Sequence, residues 1–396
     1  MNSEFTSDEP YLRKGAQARL TSCLFVVAIL TCFCHTCFGA QAPSTLTSPN
    51  ERGFSYRRDV IPDGPWSVNI LQIERSSPDL ELHTTLAHGS RIGLNVLSEQ
   101  VKAVPPEVGR PVAAVNGDFY RNDATPYKGD PKGLQIMQGE LVSAPCDWSC
   151  FWIDAAGNPQ MTNVTPKFQV IWPDNTITPI GLNEERTKGT AVLYTFRMGR
   201  TTGTTGGREF VLDETGSSAW LPLRAGETYT ARVWETREDG NTPINSNRLV
   251  LSLSKELLGK VPQVGPGALL RISMATSPSL KGVQTAIGGG PALVQGGKTK
   301  KWGLLQVRHP RTAIGWNDKS IYLVEVDGRQ PGFSVGMTYS ELADYMLNKI
   351  GCTEALNLDG GGSATMWVAG QVANSPSKGR ERGGANGLVL VQKPEK

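Results

Sequence analysis

Apolar and polar positions alternate from Trp66 onward: Val68, Ile70, Leu71 and Ile73, then, past the turn Ser76-Ser77-Pro78-Asp79, Leu80, Leu82 and Leu86. Period-two runs on either side of a turn predict two strands of an antiparallel pair. Leu94, Leu97 and Val101 recur at helical spacing over 93–104, and Pro105-Pro106 ends that helix. The continuous run Pro111-Val112-Ala113-Ala114-Val115 suits a buried strand, which delivers Asn116-Gly117-Asp118-Phe119-Tyr120 at its end. Residues 121–133 read as a loop. Over 134–275, short strands at 167–172, 190–196, 209–213, 228–235 and 248–253 alternate with Gly, Pro and Asn turns. The stretch 201–207 is low in complexity and reads as a surface loop; no fixed period points to a solenoid or propeller.

The last third is denser. Gly288-Gly289-Gly290 is a turn into a strand, and Arg311-Thr312-Ala313-Ile314-Gly315 precedes a strand at 320–326 that ends in Asp327-Gly328-Arg329. The clearest helix is 339–350. Thr338 and Glu341 are spaced as a capping box, Leu342, Tyr345, Met346 and Ile350 form one face, and Gly351 stops it. A short strand at 355–358 then opens onto Asp359 and three glycines. The fold class these patterns predict is α+β: a β-rich mixed-sheet core with a few helices and an active site at strand ends.

Composition agrees. The chain has 44 Gly and 26 Pro, which favours short strands and turns over long helices. Its net charge of +3, with no basic stripe interleaved with aromatics, argues against a nucleic-acid partner. Arg13, Lys14 and Arg19 precede an apolar stretch from Leu20 to Phe38, closed by Gly39 and Ala40. That order is the order of a signal peptide, although the stretch is also long enough for a retained membrane anchor. The expectation is an exported protein, periplasmic or extracellular: signal 1–40, linker 41–59, and a domain over 60–392 with a β-rich middle at 134–280. The sequence carries no sign of oligomeric state. Cys23, Cys32, Cys34 and Cys37 lie in the signal segment. Cys146 and Cys150 could close a small disulfide loop or stay as two thiols, and Cys352 reads as a buried free thiol.

Three strands thus end in an Asn/Asp-Gly cluster: Asn116-Gly117-Asp118, Asp327-Gly328 and Asp359-Gly360. One such cluster is a turn signal. Three of them, in one sheet and pointing one way, would bring three carboxylates to one rim. Gly360, Gly361 and Gly362 would let backbone N–H groups approach an anion, with the Ser363 hydroxyl as a further donor. The spacing is neither a P-loop nor a dinucleotide fingerprint, and Thr365 stands where a nucleophile elbow needs Gly. Cys and His are too scattered for zinc; Asp118, Asp123 and Asp130 could ligate calcium, without EF-hand spacing, and no other cofactor is implied.

The series AVNGDFY (114–120), AIGGGPALV (286–294), HPRTAIGW (309–316), EVDGR (325–329), NLDGGGSATM (357–366) and SPSKGRERGGANGLVLV (375–391) resembles the phosphodiester glycosidase family, in order, from about residue 60 to 392. LNEER (182–186) and LYTFRMG (193–199) resemble its bacterial members, except that Phe196 replaces the usual Pro. The resemblance implies hydrolysis of the bond between a sugar anomeric carbon and a phosphodiester oxygen, on a glycan or sugar-phosphate substrate. Asp359 would be the leading catalytic carboxylate, with Asp327 or Asp118 as the second. Asp118 ranks lower because the family often has Gly there. Arg311 would clamp the phosphate bidentately, unless it forms a structural ion pair with one of the aspartates. Asn116, Arg382 and Asn386 would bind sugar or orient the carboxylates. Two other functions compete. A non-catalytic polysaccharide-binding or export accessory protein would use Trp148, Trp152, Trp302 or Trp316 as a platform. A glycosidase of ordinary linkages would need an acid in an apolar setting and no anion cradle.

Overall fold

The computed structural model describes residues 53–216, 220–303 and 306–394. The signal-like segment, with its four cysteines, lies outside the described residues. Seven strands make one antiparallel sheet, in spatial order Phe54–Ile61, Trp66–Glu74, Ser320–Val326, Arg311–Trp316, Glu354–Asn357, Ala292–Gln295 and Lys298–Thr299. The sheet therefore begins inside the stretch expected as linker. A five-stranded sheet faces it, ordered Gln371–Val372, Met366–Val368, Arg110–Asn116, Gly387–Gln392 and Leu80–Thr84.

Strand alternation explains how these sheets stack. Leu71, Leu82, Val115, Ile314, Leu323 and Leu388 fill the space between them. The opposite face of the seven-stranded sheet, with Val68, Ala313, Val324 and Ala355, is covered by Leu342 and Met346 of the C-terminal helix. The outer face of the five-stranded sheet is covered by Leu97 and Val101 of the helix Leu97–Lys102, packed on Ala114 and Val389. The order of layers is helix, sheet, sheet, helix. Each fully buried Leu in such a core contributes about 2 kcal/mol by burial.

The rest of the chain builds a second core. Eight strands run Ile177–Pro179, Thr165–Ile171, Leu269–Ser277, Thr228–Arg237, Arg208–Glu214, Leu249–Leu253, Ala191–Tyr194 and Gly181–Leu182. A further five-stranded sheet, Glu140–Ser143, Gln135–Met137, Thr285–Gly288, Ser149–Ile153 and Pro159–Asn163, joins the two cores. Its alternate residues face opposite ways: Cys150, Trp152 and Ala286 pack with the eight-stranded sheet, whereas Phe151 and Ile287 enter the core between the first two sheets.

The β-rich architecture with a few helices is as expected, but the sheets are not mixed to any extent. Among the described strands only Gly181–Leu182 and Ala191–Tyr194 pair in parallel. The expected hairpin of Trp66–Glu74 with Leu80–Thr84 does not form. Trp66–Glu74 is already flanked by Phe54–Ile61 and Ser320–Val326, so the turn carries the chain into the other sheet, where Leu80–Thr84 pairs with Gly387–Gln392. Arg311–Trp316, not read as a strand, is central to the seven-stranded sheet. The first helix shrinks to Leu97–Lys102.

The C-terminal helix has its capping box: the Glu341 N–H donates to Thr338 Oγ1 and the Thr338 N–H to the Glu341 carboxylate. It runs as Tyr339–Asp344, widens to a π-turn over Tyr345–Ile350, and ends at Gly351 with φ 83°. The stretch 201–207 is not a simple surface loop, because Thr202 and Thr204 are buried and donate to the buried Glu209 carboxylate. Cys146 and Cys150 are both free thiols, one exposed and the other turned into the core by its strand, so the tentative disulfide is absent. Cys352 is buried and free, as expected.

Candidate active site

Two strand ends meet directly. Arg110–Asn116 and Glu354–Asn357 lie in facing sheets, and the Asp359 N–H donates to the Gly117 carbonyl at 2.9 Å. Asn116 braces the junction. Its Nδ2 donates to the Asp359 carbonyl at 2.6 Å, and its Oδ1 accepts from the Thr312 hydroxyl at 2.6 Å and the Thr365 N–H at 3.0 Å. Through these bonds Asn116 orients the Asp359 backbone, one of its two Nδ2–H donors being used. Thr312, which sequence reasoning missed, reaches Asn116 because strand alternation turns it inward between Arg311 and Ala313.

The Asp359 side chain is 13% exposed. Its Oδ1 accepts the Gly360 N–H at 2.9 Å, and its Oδ2 lies 3.3 Å from Arg382 Nη2. Arg382 also donates to Ser363 Oγ, from Nε at 3.1 Å and from Nη2, and its guanidinium lies 5.8 Å from the centre of the Tyr120 ring. Burial raises the Asp359 pKa, while Ser363 and Arg382 oppose that rise.

The glycines do something different from what was expected. The Gly360 N–H is taken by Asp359 and the Gly361 N–H by the Pro310 carbonyl, so neither is free to cradle an anion. Their lack of side chains is used for close approach instead. A Cβ on Gly360 would lie 2.6 Å from the Pro310 oxygen, one on Gly361 3.1 Å from Arg329 Nη2, and one on Gly362 3.3 Å from Arg382 Nη1. The turn Gly361–Ser363 thus sits between two guanidiniums. Arg329, at the end of the Asp-Gly-Arg run, was missed by sequence reasoning. Its chemical type was the only available signal.

Asp118 is 2% exposed, and each of its oxygens accepts a backbone N–H, from Phe119 at 2.7 Å and Gly133 at 2.8 Å. Burial pushes its pKa up to about 7; those two N–H groups oppose the rise and the charge of Asp359 adds to it. A Cβ on Gly288 would collide with Asp118 Oδ2. Asn386 holds the same turn: its Oδ1 accepts the Asp118 N–H at 2.8 Å while its Nδ2 donates to Gln135. Asn386 is therefore a support for Asp118, buried away from any ligand.

Two expected members are elsewhere. Asp327 is fully buried, and its carboxylate accepts from Ser67 Oγ at 2.9 Å, the Ser375 N–H at 2.7 Å and Asn374 at 3.3 Å. It shares that interior with Glu325, one position pair back on the same strand face, and burial raises both pKa values. None of the Asp327 partners touches Asp359, whereas Asp118 follows the strand end that a backbone hydrogen bond ties to Asp359. Arg311 is 7% exposed, and its guanidinium lies 4.0 Å from the centre of the Tyr339 ring and donates to the Met337 and Val307 carbonyls. It makes no ion pair with the aspartates, because strand alternation sends it to the helix-covered face.

Calcium ligands are not gathered either. Asp118 is held by backbone N–H groups, Asp123 pairs with Arg121 at 2.6 Å, and the described residues contain no cluster of three His, Cys, Asp or Glu side chains able to hold a metal ion.

A groove of about 460 Å³ is lined by Phe119, Trp148, Gly290, Pro291, Lys300 and Tyr339; neither Asp118 nor Asp359 lines it. Trp148 is 49% exposed and meets Phe119 edge to face, at 6.2 Å between ring centres. Of the other tryptophans considered as platforms, Trp152 and Trp316 are core residues and Trp302 packs on Tyr339.

Known proteins share this architecture. A structure of a hypothetical protein from Synechocystis superposes with a TM-score of 0.66 at 19% identity, over 85% of this chain and 62% of that one. That of a putative exported protein from Burkholderia pseudomallei K96243 gives 0.64 at 24% identity, over 83% and 74%. At these identities the likeness is one of fold. The SPbeta prophage-derived uncharacterized protein YomE of Bacillus subtilis (strain 168) is 35% identical over 116 residues, which are 28% of this chain and only 18% of YomE. Residues 219–391, which hold Asp359, the glycine turn, Arg382 and Asn386, match the phosphodiester glycosidase family, the family that the chain's motifs resemble.

Proposed function

We propose that the protein is an exported hydrolase that cleaves the bond between a sugar anomeric carbon and a phosphodiester oxygen. The observation that carries this reading is that Asp118 and Asp359 follow two strand ends tied by a backbone hydrogen bond, in a chain whose residues 219–391 match the phosphodiester glycosidase family. Asp359, partly exposed and touched by Arg382, is the carboxylate that meets the substrate. Asp118, buried at the neighbouring strand end with its pKa raised to about 7, can hold a proton near neutral pH. Glycoside hydrolysis ordinarily needs two carboxyl groups in different protonation states. A phosphate monoester leaving group has a second pKa near 6, so it can depart with little protonation if cations stabilise it. The aromatic groove that begins at Phe119, next in sequence to Asp118, suits the face of a sugar ring.

Export is supported by the basic, apolar, small order of the N-terminus and by the Burkholderia neighbour, described as a putative exported protein. No helix among the described residues is long and apolar enough to cross a membrane.

The test is hydrolysis of a panel of sugar-1-phosphodiesters by wild type, Asp359→Asn and Asp118→Asn. We expect turnover by wild type and its loss in Asp359→Asn. Wild-type cleavage of simple glycosides alone would replace this reading with an ordinary glycosidase. Glycan binding without turnover would replace it with a binding protein built on Trp148.

A further inference from the structure

The chain gathers cationic side chains beside the glycine turn without giving them all counter-ions. Arg308 pairs with Glu341, and Arg382 with Asp359. Arg311 and Arg329 have no carboxylate partner among the described residues: Arg311 donates to two backbone carbonyls, and Arg329 Nη2 lies 3.2 Å from His309 Nδ1. A guanidinium can only donate, so His309 Nδ1 accepts, and the neutral imidazole carries its proton on Nε2. Burial and the charges of Arg311 and Arg329 lower the His309 pKa, which keeps the ring in that neutral form. Like charges packed together repel unless an anion sits among them.

The backbone is committed to this arrangement. Arg329 has φ 60°, in the left-handed region that costs a non-glycine residue about 1 kcal/mol. Gly361, at φ 61°, lies against the Arg329 guanidinium so closely that a side chain there would displace it. His309 is tied to the same corner by reciprocal backbone hydrogen bonds with Met337, at 3.2 and 3.0 Å. Across the turn, Gly362 gives Arg382 the same close approach.

We propose that Arg329 and the Nε2–H of His309, with Arg382 on the other side of the glycine turn, form the binding site for the phosphoryl group of the substrate. The inference rests on the hydrolase reading for what the ligand is attached to, but the anion site itself can be tested without turnover. The bound group is a phosphate ester whose oxygens face a fork of Arg329 donors and one neutral imidazole donor.

Inorganic phosphate is the probe, titrated calorimetrically at low ionic strength into the full-length protein and its variants. Wild type should bind it, and Arg329→Gln should weaken binding ten-fold or more. Asp359→Asn, which removes the nearest negative charge, should bind as well as wild type or better. His309→Ala should weaken binding at least three-fold and serves as the readout should Arg329→Gln not fold. Phosphate binding unchanged in Arg329→Gln, or in His309→Ala in that case, overturns the site, as does absence of binding by wild type. If phosphate binds as expected but no sugar phosphodiester is cleaved, the hydrolase reading fails and the anion site stands.

Discussion

The Asn116 side-chain amide donates to the main-chain carbonyl of Asp359, 243 positions away in the sequence, at 2.6 Å. It is one of two hydrogen bonds by which a single buried amide joins the five-stranded sheet to the seven-stranded one at the candidate site, while a third, from the Thr365 N–H, ties it within its own sheet. Asn116→Ala should leave the Asp359 carbonyl, the Thr312 hydroxyl and the Thr365 N–H unpartnered. Leaving buried groups of this kind unsatisfied costs about 2 kcal/mol or more. Urea denaturation should show that loss, and turnover should fall further than stability alone explains because Asp359 loses its brace. Unchanged stability would mean that water replaces the amide.

Asp118 should titrate near pH 7 in the folded protein, visible by NMR of its carboxyl carbon. Its folded pKa is raised over an unfolded value of about 4. Between those values the folded state holds the proton more tightly than the unfolded state does. The contribution of Asp118 to stability therefore falls as pH rises through that window, and levels off above about 7. Asp118→Asn should flatten this part of the stability profile. Asp359→Asn should lower the Asp118 pKa by removing a neighbouring charge; an unmoved titration would deny the coupling.

Arg311→Gln and Asp327→Asn separate burial from chemistry. Arg311 loses its stacking on Tyr339 and its carbonyl contacts, and Asp327 loses acceptors for Ser67 and Ser375. Each should cost about 2 kcal/mol of stability while the KM of the folded fraction for a sugar phosphodiester stays within about two-fold, a shift worth under half a kcal/mol. A ten-fold rise in KM for Arg311→Gln would restore it as a phosphate ligand.

Trp148→Ala removes an exposed ring that meets Phe119 edge to face at the groove. Stability should change by about 0.5 kcal/mol or less, while KM for a glycan substrate rises severalfold. If KM is indifferent, the sugar does not lie on this ring.

Local structure was largely legible in the sequence. Thr338, Glu341 and Gly351 specify their helix through neighbours a few positions away, and Asn116-Gly117-Asp118 follows its apolar strand as read. What failed depended on distant partners. The hairpin expected at Ser76 to Asp79 was displaced by better strand partners hundreds of residues away, which no local pattern records. Arg311 and Asp327 sit in motifs beside strand ends, yet strand phase and the opposing layer decide where each side chain points. The glycines follow Asp359 as read, but the room they leave for Arg329 and Arg382 depends on residues brought there by other segments.

The bridging sheet has a consequence for anyone wishing to cut the molecule down. Residues 219–391 look like a portable module when matched by sequence, yet they hold only Thr285–Gly288 of that sheet, and its partners Gln135–Met137 and Ser149–Ile153 come from upstream. Asn116 and Asp118 are upstream as well. A fragment with those boundaries would expose Ile287 on one side and Ala286 on the other, opening both cores at once. The smallest fragment worth expressing must reach back at least to Phe54, where the seven-stranded sheet begins.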